Sequence, residues 1–245
     1  MMNIKLKKYL NIFVALLIVV LIGIIGFLAI NSPEKIDERA EHQKYYDNKC
    51  QTYATENTNY AKSQIVFIGD SITDLYVLDD HYADLNLACY NRGIGGDNTS
   101  GVLNRLKVSV YDLNPSKIVL MIGTNDINGN VENEEIISNY EKIISNILNT
   151  LPEVELYCVS IIPQNEDLQE YSNIDITKTT KTIIEINKKI KTLTEAYEVT
   201  YIDLFSHLAD ENNYLIKDYS DDGIHLNPKG LAVWTNIMKE YWQKP

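Results

Sequence analysis

The stretch Ile65 to Thr73, I-V-F-I-G-D-S-I-T, constrains this chain more than any other, because an unbroken apolar run stops abruptly at Gly-Asp-Ser. A run without polar alternation, bounded by glycine, suits a strand covered on both faces, as in parallel sheets flanked by helices. Ligands bind such sheets at the carboxyl edge, where this strand delivers Ser71. Ser71 is therefore the candidate nucleophile. A serine hydroxyl is weak until a neighbouring base takes its proton, so the rest of the chain must supply that base.

The remainder fits the same architecture. Strand-like runs at Ile65 to Ile68, Leu87 to Tyr90, Lys117 to Ile122, Glu155 to Ile161 and Thr200 to Leu204 alternate with helical patterns at Asn98 to Leu113, Glu132 to Leu151, Asp175 to Ala196 and Pro228 to Trp242. Alternation of this kind implies parallel strands joined by right-handed crossovers. The expected fold is a three-layer α/β/α sandwich around a five-stranded parallel sheet, flavodoxin-like in shape. Trp234 and Trp242 sit at helical spacing and read as packing residues.

Before this domain the sequence divides into three parts. Residues 1–8 form a short basic tail with Lys5, Lys7 and Lys8, and 9–30 read as a membrane anchor, since Ile12 to Ile30 contains no charged residue. About 20 apolar residues span a bilayer. A cleaved signal peptide fits less well, because its apolar region runs about 7 to 15 residues and ends in a small-x-small site that Phe27, Ala29 and Ile30 do not supply. Residues 31–63 are polar and glycine-free and read as a solvated, helix-compatible stalk; 64–245 form the globular domain. The basic tail beside the span favours a single-pass protein of the cell membrane with its domain outside.

Charge narrows the partners. The first 30 residues contribute +3 to a net charge of −12, so the remainder carries −15. A surface so acidic argues against nucleic acid, whose phosphates require Lys and Arg. Cys50, Cys89 and Cys158 follow no metal-ligand spacing and read as unpaired thiols. No metal and no cofactor is implied.

The strand ends concentrate unusual residues. After the second strand comes Asn91-Arg92-Gly93-Ile94-Gly95-Gly96-Asp97-Asn98, whose glycines let backbone approach a ligand and expose N–H groups. It lacks the spacing of a dinucleotide loop, because the last glycine position counted from Gly93 is Asn98. Gly123-Thr124-Asn125-Asp126 follows the third strand and places a side-chain amide where it can donate to a developing oxyanion. Asp222-Gly223-Ile224-His225 precedes the last helix, offering an imidazole to activate a serine and a carboxylate to fix its tautomer. Asp222 and His225 are thus the natural partners of Ser71. His207, four residues after Asp203, is the rival; His42 belongs to the stalk and His81 to a turn.

In these four blocks the chain resembles the SGNH, or GDSL, hydrolase superfamily, from Gly69 to Asn227 and in the family's order. The resemblance implies Ser71, Gly96, Asn125 and His225 as the four family residues, with Asp222 as triad carboxylate. It implies an oxyanion hole of the Ser71 and Gly96 N–H groups and the Asn125 amide. Ile72-Thr73 replaces the leucine that the name-giving pattern carries after the serine. The function implied is hydrolysis of a carboxylic ester, either of O-acetyl groups on envelope carbohydrate or of acyl lipids and thioesters. A silent binding module on the same fold is a further class, as is a phosphate binder, although Asp70 stands where a phosphate loop would begin.

Overall fold

The computed structural model describes residues 38–168 and 175–242. The expected tail at 1–8 and span at 9–30 lie outside them, as do the first residues of the expected stalk. Among the described residues no helix is long and apolar enough to cross a membrane. The chain divides into two compact units, Met1–Glu41 and His42–Pro245, and the second contains the sheet and all four sequence blocks.

Five parallel strands, β1 (Ile65–Gly69), β2 (Cys89–Gly93), β3 (Lys117–Met121), β4 (Glu155–Val159) and β5 (Thr200–Ile202), lie in the order β2-β1-β3-β4-β5. The order reverses between β1 and β3, which opens a crevice at the carboxyl ends of both. Register places those ends level, since Gly69 pairs with Gly93 on one side and with Met121 on the other. Three of the four sequence blocks therefore emerge side by side.

Successive strand residues feed opposite layers. Ile68, Ile118, Leu120, Leu156 and Cys158 face one core, filled by Ile136, Tyr140, Ile143, Ile144 and Ile147 and by Ile183, Ile186 and Ile190. Phe67, Val119, Met121, Tyr157 and Val159 face the other, with Trp234, Ile237 and Met238. The helices involved are α1 (Glu38–Glu56), α2 (Ser71–Asp74), α3 (Thr99–Asn104), α4 (Thr124–Asn128), α5 (Asn133–Thr150), α6 (Ile176–Ala196) and α7 (Pro228–Trp242), with shorter turns of helix between them. α5 and α6 cover the first face and α7 the second. Each fully buried isoleucine contributes roughly 1.5–3 kcal/mol relative to exposure. Trp234 packs on Phe67 and Tyr76 at centroid distances of 6.1 and 4.9 Å, a packing role as expected.

Three expectations require correction. β2 runs from Cys89 to Gly93 and not from Leu87 to Tyr90, because Arg92 lies inside it. Its guanidinium is buried between the Tyr53 and Tyr60 rings and bonds Glu56 and Asn57. The helix expected over Asn98 to Leu113 breaks at Arg105 into Thr99–Asn104 and Leu106–Ser109. Arg105 leaves helical geometry while its side chain reaches Asp97 and the carbonyls of Gly69 and Arg92.

The third correction is partial: over α1 the stalk is helical and exposed along most of its length, yet it is not a free spacer. From His42 onward its side chains dock on the domain. Tyr53 is buried and donates to the Gly93 carbonyl, Tyr46 donates to the Gly101 carbonyl at 2.8 Å, and Asn57 donates to the Val108 carbonyl at 2.7 Å. Contact is made by phenol rings and polar tips, so α1 shows no apolar stripe to betray it.

Candidate active site

The nucleophile turn is built from below. Asp70 follows β1 in extended backbone, and its Oδ1 accepts the Ile72 N–H at 3.0 Å, which starts α2. The side chain is buried, and its Oδ2 has no partner among the described residues. Burial pushes this carboxyl up to about 7; the Ile72 N–H opposes the shift and the Asp97 and Asp126 carboxylates add to it. Asp70 thus shapes the turn, and the next residue, Ser71, is half-buried at the sheet edge.

The segment Ser220 to His225 is folded around two side chains. Ser220 Oγ accepts the Gly223 N–H at 2.8 Å and donates to the His225 carbonyl at 2.7 Å. Asp222 Oδ1 accepts the N–H groups of Ile224 at 2.9 Å and His225 at 2.8 Å. Asn165 braces the segment from outside, its N–H donating to the Gly223 carbonyl at 2.9 Å and its amide to the Leu215 carbonyl at 2.8 Å. Gln164 donates to Asn128 at 3.0 Å, so the polar stretch beginning at Gln164 starts as a structural brace.

The loop aligns a chain of hydrogen bonds. His225 Nδ1 lies 2.6 Å from Asp222 Oδ2, and Nε2 lies 2.8 Å from Ser71 Oγ. Asp222 accepts, so Nδ1 carries the hydrogen and Nε2 is left to receive the Ser71 proton. Partial burial raises the Asp222 carboxyl pKa, but bonds from the His225 ring and from the His225 and Ile224 N–H groups outweigh it, holding the carboxyl below its ordinary range. It stays ionised when neutral pH demands a carboxylate.

The glycine block forms a tight turn in which Asp97 N–H donates to the Ile94 carbonyl at 3.1 Å. Gly96 has φ +76°, in the left-handed region that favours glycine. Gly93 is required for another reason: a Cβ there would overlap the backbone of Asp74 in α2. No described residue takes the N–H of Ser71 or Gly96. The Asn125 amide, at the start of α4, donates to the Asp97 carbonyl at 2.8 Å, which ties the third block to the second and leaves one amide hydrogen for a ligand.

Beneath the turn lies a buried polar network. Arg105 Nε pairs with Asp97 Oδ2 at 2.7 Å, and its other nitrogens donate to the carbonyls of Arg92 at 2.7 Å and Gly69 at 2.9 Å. One guanidinium thus holds the carboxyl ends of β1 and β2 together. Asp126 accepts the Thr99 hydroxyl at 2.6 Å and N–H at 3.0 Å, fixing α3 to α4. Removing one partner from such a network costs about 3–5 kcal/mol, because it strands a buried charge.

The sequence candidates are therefore brought together in two groups: Ser71, Asp222 and His225 in one chain of hydrogen bonds, and Gly96 with Asn125 linked through Asp97. The carboxylate preceding the rival His207 and the ring of His81 have other partners. Asp203 accepts the Ser206 N–H and hydroxyl at 3.1 and 2.7 Å, and His81 Nδ1 lies 2.9 Å from Thr235 Oγ1. Among the described residues no cluster of three or more His, Cys, Asp or Glu is arranged to hold a metal ion. The three cysteines are free, and burial pushes the Cys89 and Cys158 thiols up to about 12.

Four contributors escaped the sequence reading. Asp74 Oδ2 accepts the Gly95 N–H at 3.1 Å and the Tyr45 hydroxyl at 2.6 Å, Lys49 pairs with Asp74 Oδ1 at 2.7 Å, and His42 Nε2 lies 3.1 Å from the Gly95 carbonyl. No spacing rule links these positions, since the fold alone brings α1 against the glycine turn.

Residues 67–233 match the GDSL-like lipase/acylhydrolase family. Over 107 residues the chain is 34% identical to the platelet-activating factor acetylhydrolase IB subunit alpha2 of Rattus norvegicus, covering 42% of this chain and 45% of that protein. The match thus spans under half the length of this relative. A solved structure from Streptococcus pneumonia, provisionally described as a platelet activating factor, superposes with TM-score 0.77 at 31% identity, over 83% of this chain and 95% of that one. An acetyl-xylooligosaccharide esterase from Geobacillus stearothermophilus shares the fold, with TM-score 0.57 at 18% identity, over 76% and 96% of the two chains. The sheet order, the order of the four blocks along it and the family match agree: the chain belongs to the GDSL-like lipase/acylhydrolase family.

Proposed function

We propose that this chain is a serine esterase whose triad is Ser71, His225 and Asp222, and that it removes O-acetyl groups from carbohydrate of the cell envelope. The observation that carries the reading is the unbroken hydrogen-bond chain from Asp222 through His225 to Ser71, at 2.6 and 2.8 Å.

In this reading Ser71 Oγ attacks the acetyl carbonyl as His225 Nε2 takes its proton, and Asp222 stabilises the imidazolium. The carbonyl oxygen becomes an oxyanion held by the Ser71 and Gly96 N–H groups and the free Asn125 amide hydrogen. Collapse breaks the bond to the sugar oxygen, which leaves with the proton from His225. Water then attacks the acetyl-serine, giving its proton to Nε2, and the second collapse releases acetate and returns the proton to Ser71.

Two facts support a small acyl group. The curated relative is named an acetylhydrolase, and the blocks are joined without a long apolar segment that would cover an acyl chain. We place the protein in the cell membrane through residues 9–30, with its domain outside. Because α1 is helical from Glu38 and docks from His42 onward, only seven residues, 31–37, separate the expected span from the helix, a reach of at most ~25 Å. The site would therefore work near the membrane, which favours wall-proximal polymer as substrate.

A second reading, acetyl or acyl lipid, has its own support. Leu75 and Val77, just after the nucleophile turn, are 61% and 58% exposed, and the matching family is described as lipases as well as acylhydrolases. The deciding experiment is kcat/KM across C2, C4, C8 and C12 esters, together with acetate release from acetylated wall polymer. Preference for C2 with acetate released supports the carbohydrate reading, whereas rates climbing toward C12 with no acetate released refute it.

A further inference from the structure

The turn Ile94 to Asp97 has a choice that its own sequence leaves open. Type I and type II turns follow nearly the same path and differ by a half-rotation of the central peptide. Here that peptide joins Gly95 to Gly96, and it supplies the Gly96 N–H. Gly95 is not among the residues with positive φ while Gly96 has φ +76°, which is type II. With glycine at both central positions either form is sterically open.

The selection comes from α1. The Gly95 carbonyl can only accept, so the His42 Nε2 at 3.1 Å carries the hydrogen and donates it. The imidazole lies against the turn closely enough that a Cβ on Gly96 would overlap it. On the other side of the same residue, the Gly95 N–H is held at 3.1 Å by Asp74, itself fixed by Tyr45 at 2.6 Å and Lys49 at 2.7 Å. In a trans peptide the carbonyl and the N–H point in opposite directions. Holding the Gly95 carbonyl toward His42 therefore turns the Gly96 N–H away from α1, and a carbonyl that accepts a bond polarises its own peptide and strengthens its N–H as a donor.

We infer that His42 is a positioning residue for catalysis: its bond to Gly95 holds the turn in the type II form that presents the Gly96 N–H as an oxyanion donor. The inference rests on the esterase reading above, in which Gly96 supplies that donor. It also makes α1 part of the active site and not merely of its support.

The test uses the full chain in detergent with a C2 ester and a trifluoromethyl ketone, whose hydrated or serine-bound oxygen mimics the oxyanion. His42→Ala should lower kcat by about 10-fold, equivalent to ~1.4 kcal/mol, with KM nearly unchanged. Affinity for the ketone should fall by a similar factor. His42→Gln, which keeps an N–H donor, should recover most of both, and thermal stability should stay at the wild-type level because His42 is exposed. Wild-type kcat and ketone affinity in His42→Ala would overturn the inference, as would a loss confined to KM or one that Gln does not recover. Ser71→Ala separates the two levels. If it is inactive while His42→Ala is normal, only the inference falls; if it remains active, the esterase reading falls and takes the inference with it.

Discussion

Asp70 offers a quantitative test of the nucleophile turn. Its carboxyl is buried with one oxygen unpartnered, and its pKa rises from 3.8 to about 7. A folded-state pKa above the unfolded value means that the folded chain holds the proton more tightly. The stabilisation is complete below the unfolded pKa and is lost as pH climbs toward the folded one. Between the two values stability falls by about 1.36 kcal/mol per pH unit, so the loss from pH 4 to pH 8 is about 4 kcal/mol. Asp70→Asn keeps an oxygen for the Ile72 N–H and cannot ionise. Urea unfolding of both proteins at pH 4, 5, 6, 7 and 8 should therefore show the variant gaining on the wild type by about 4 kcal/mol across the series, with most of the gain before pH 7. A constant difference between the two proteins would show that Asp70 does not titrate in the folded state as its burial requires, and the account of the turn would be wrong.

Other consequences attach to single groups. Asn125→Ala removes a proposed oxyanion donor and the tie to Asp97, so kcat on a C2 ester should fall by about 10² to 10³ with KM little changed; an effect on KM alone would remove Asn125 from that role. Ile143→Ala empties a fully buried position in α5 and should cost about 2–5 kcal/mol of unfolding free energy without altering kcat of the folded enzyme. Less than 1 kcal/mol would mean that the core collapses around the missing side chain. The full chain should remain with membranes through alkaline washing, and release by salt alone would contradict a spanning segment at 9–30.

The features legible in the sequence had a local physical signature. Ile65 to Ile68 announced a doubly covered strand, and the isoleucine spacing of α5 and α6 announced amphipathic helices. Asp222 lies three residues before His225, so their pairing could be read from the chain. Ser71 and Asn125 could be assigned to one edge because each comes after a strand in one parallel sheet, whose topology gathers strand ends, whereas Gly96 was set apart from its neighbours only by the family resemblance. The features that were missed depend on side chains that satisfy each other across long separations. α1 docks through tyrosine hydroxyls, Lys49 and His42, which hydropathy scores as polar. Arg92 is buried in β2 because Tyr53 and Tyr60 cover its planar group and Glu56 and Asn57 accept from it; nothing near Arg92 in sequence predicts this. The break at Arg105 has the same origin, since three of its acceptors, Asp97, Arg92 and Gly69, lie 8 to 36 positions away. The three glycines of the second block looked equivalent and are not: Gly93 makes room for α2, whereas Gly96 supplies the left-handed turn.

The central claim is that His225 activates Ser71 for attack on an acyl carbon, and covalent labelling tests it most directly. The protein would be treated with a serine-reactive fluorophosphonate at neutral pH, and the adduct located by peptide mass spectrometry. One adduct per chain is expected, on Ser71, lost in Ser71→Ala and formed far more slowly in His225→Ala. A Ser71 that stays unlabelled while ester hydrolysis proceeds, or that labels equally fast without His225, would contradict the claim.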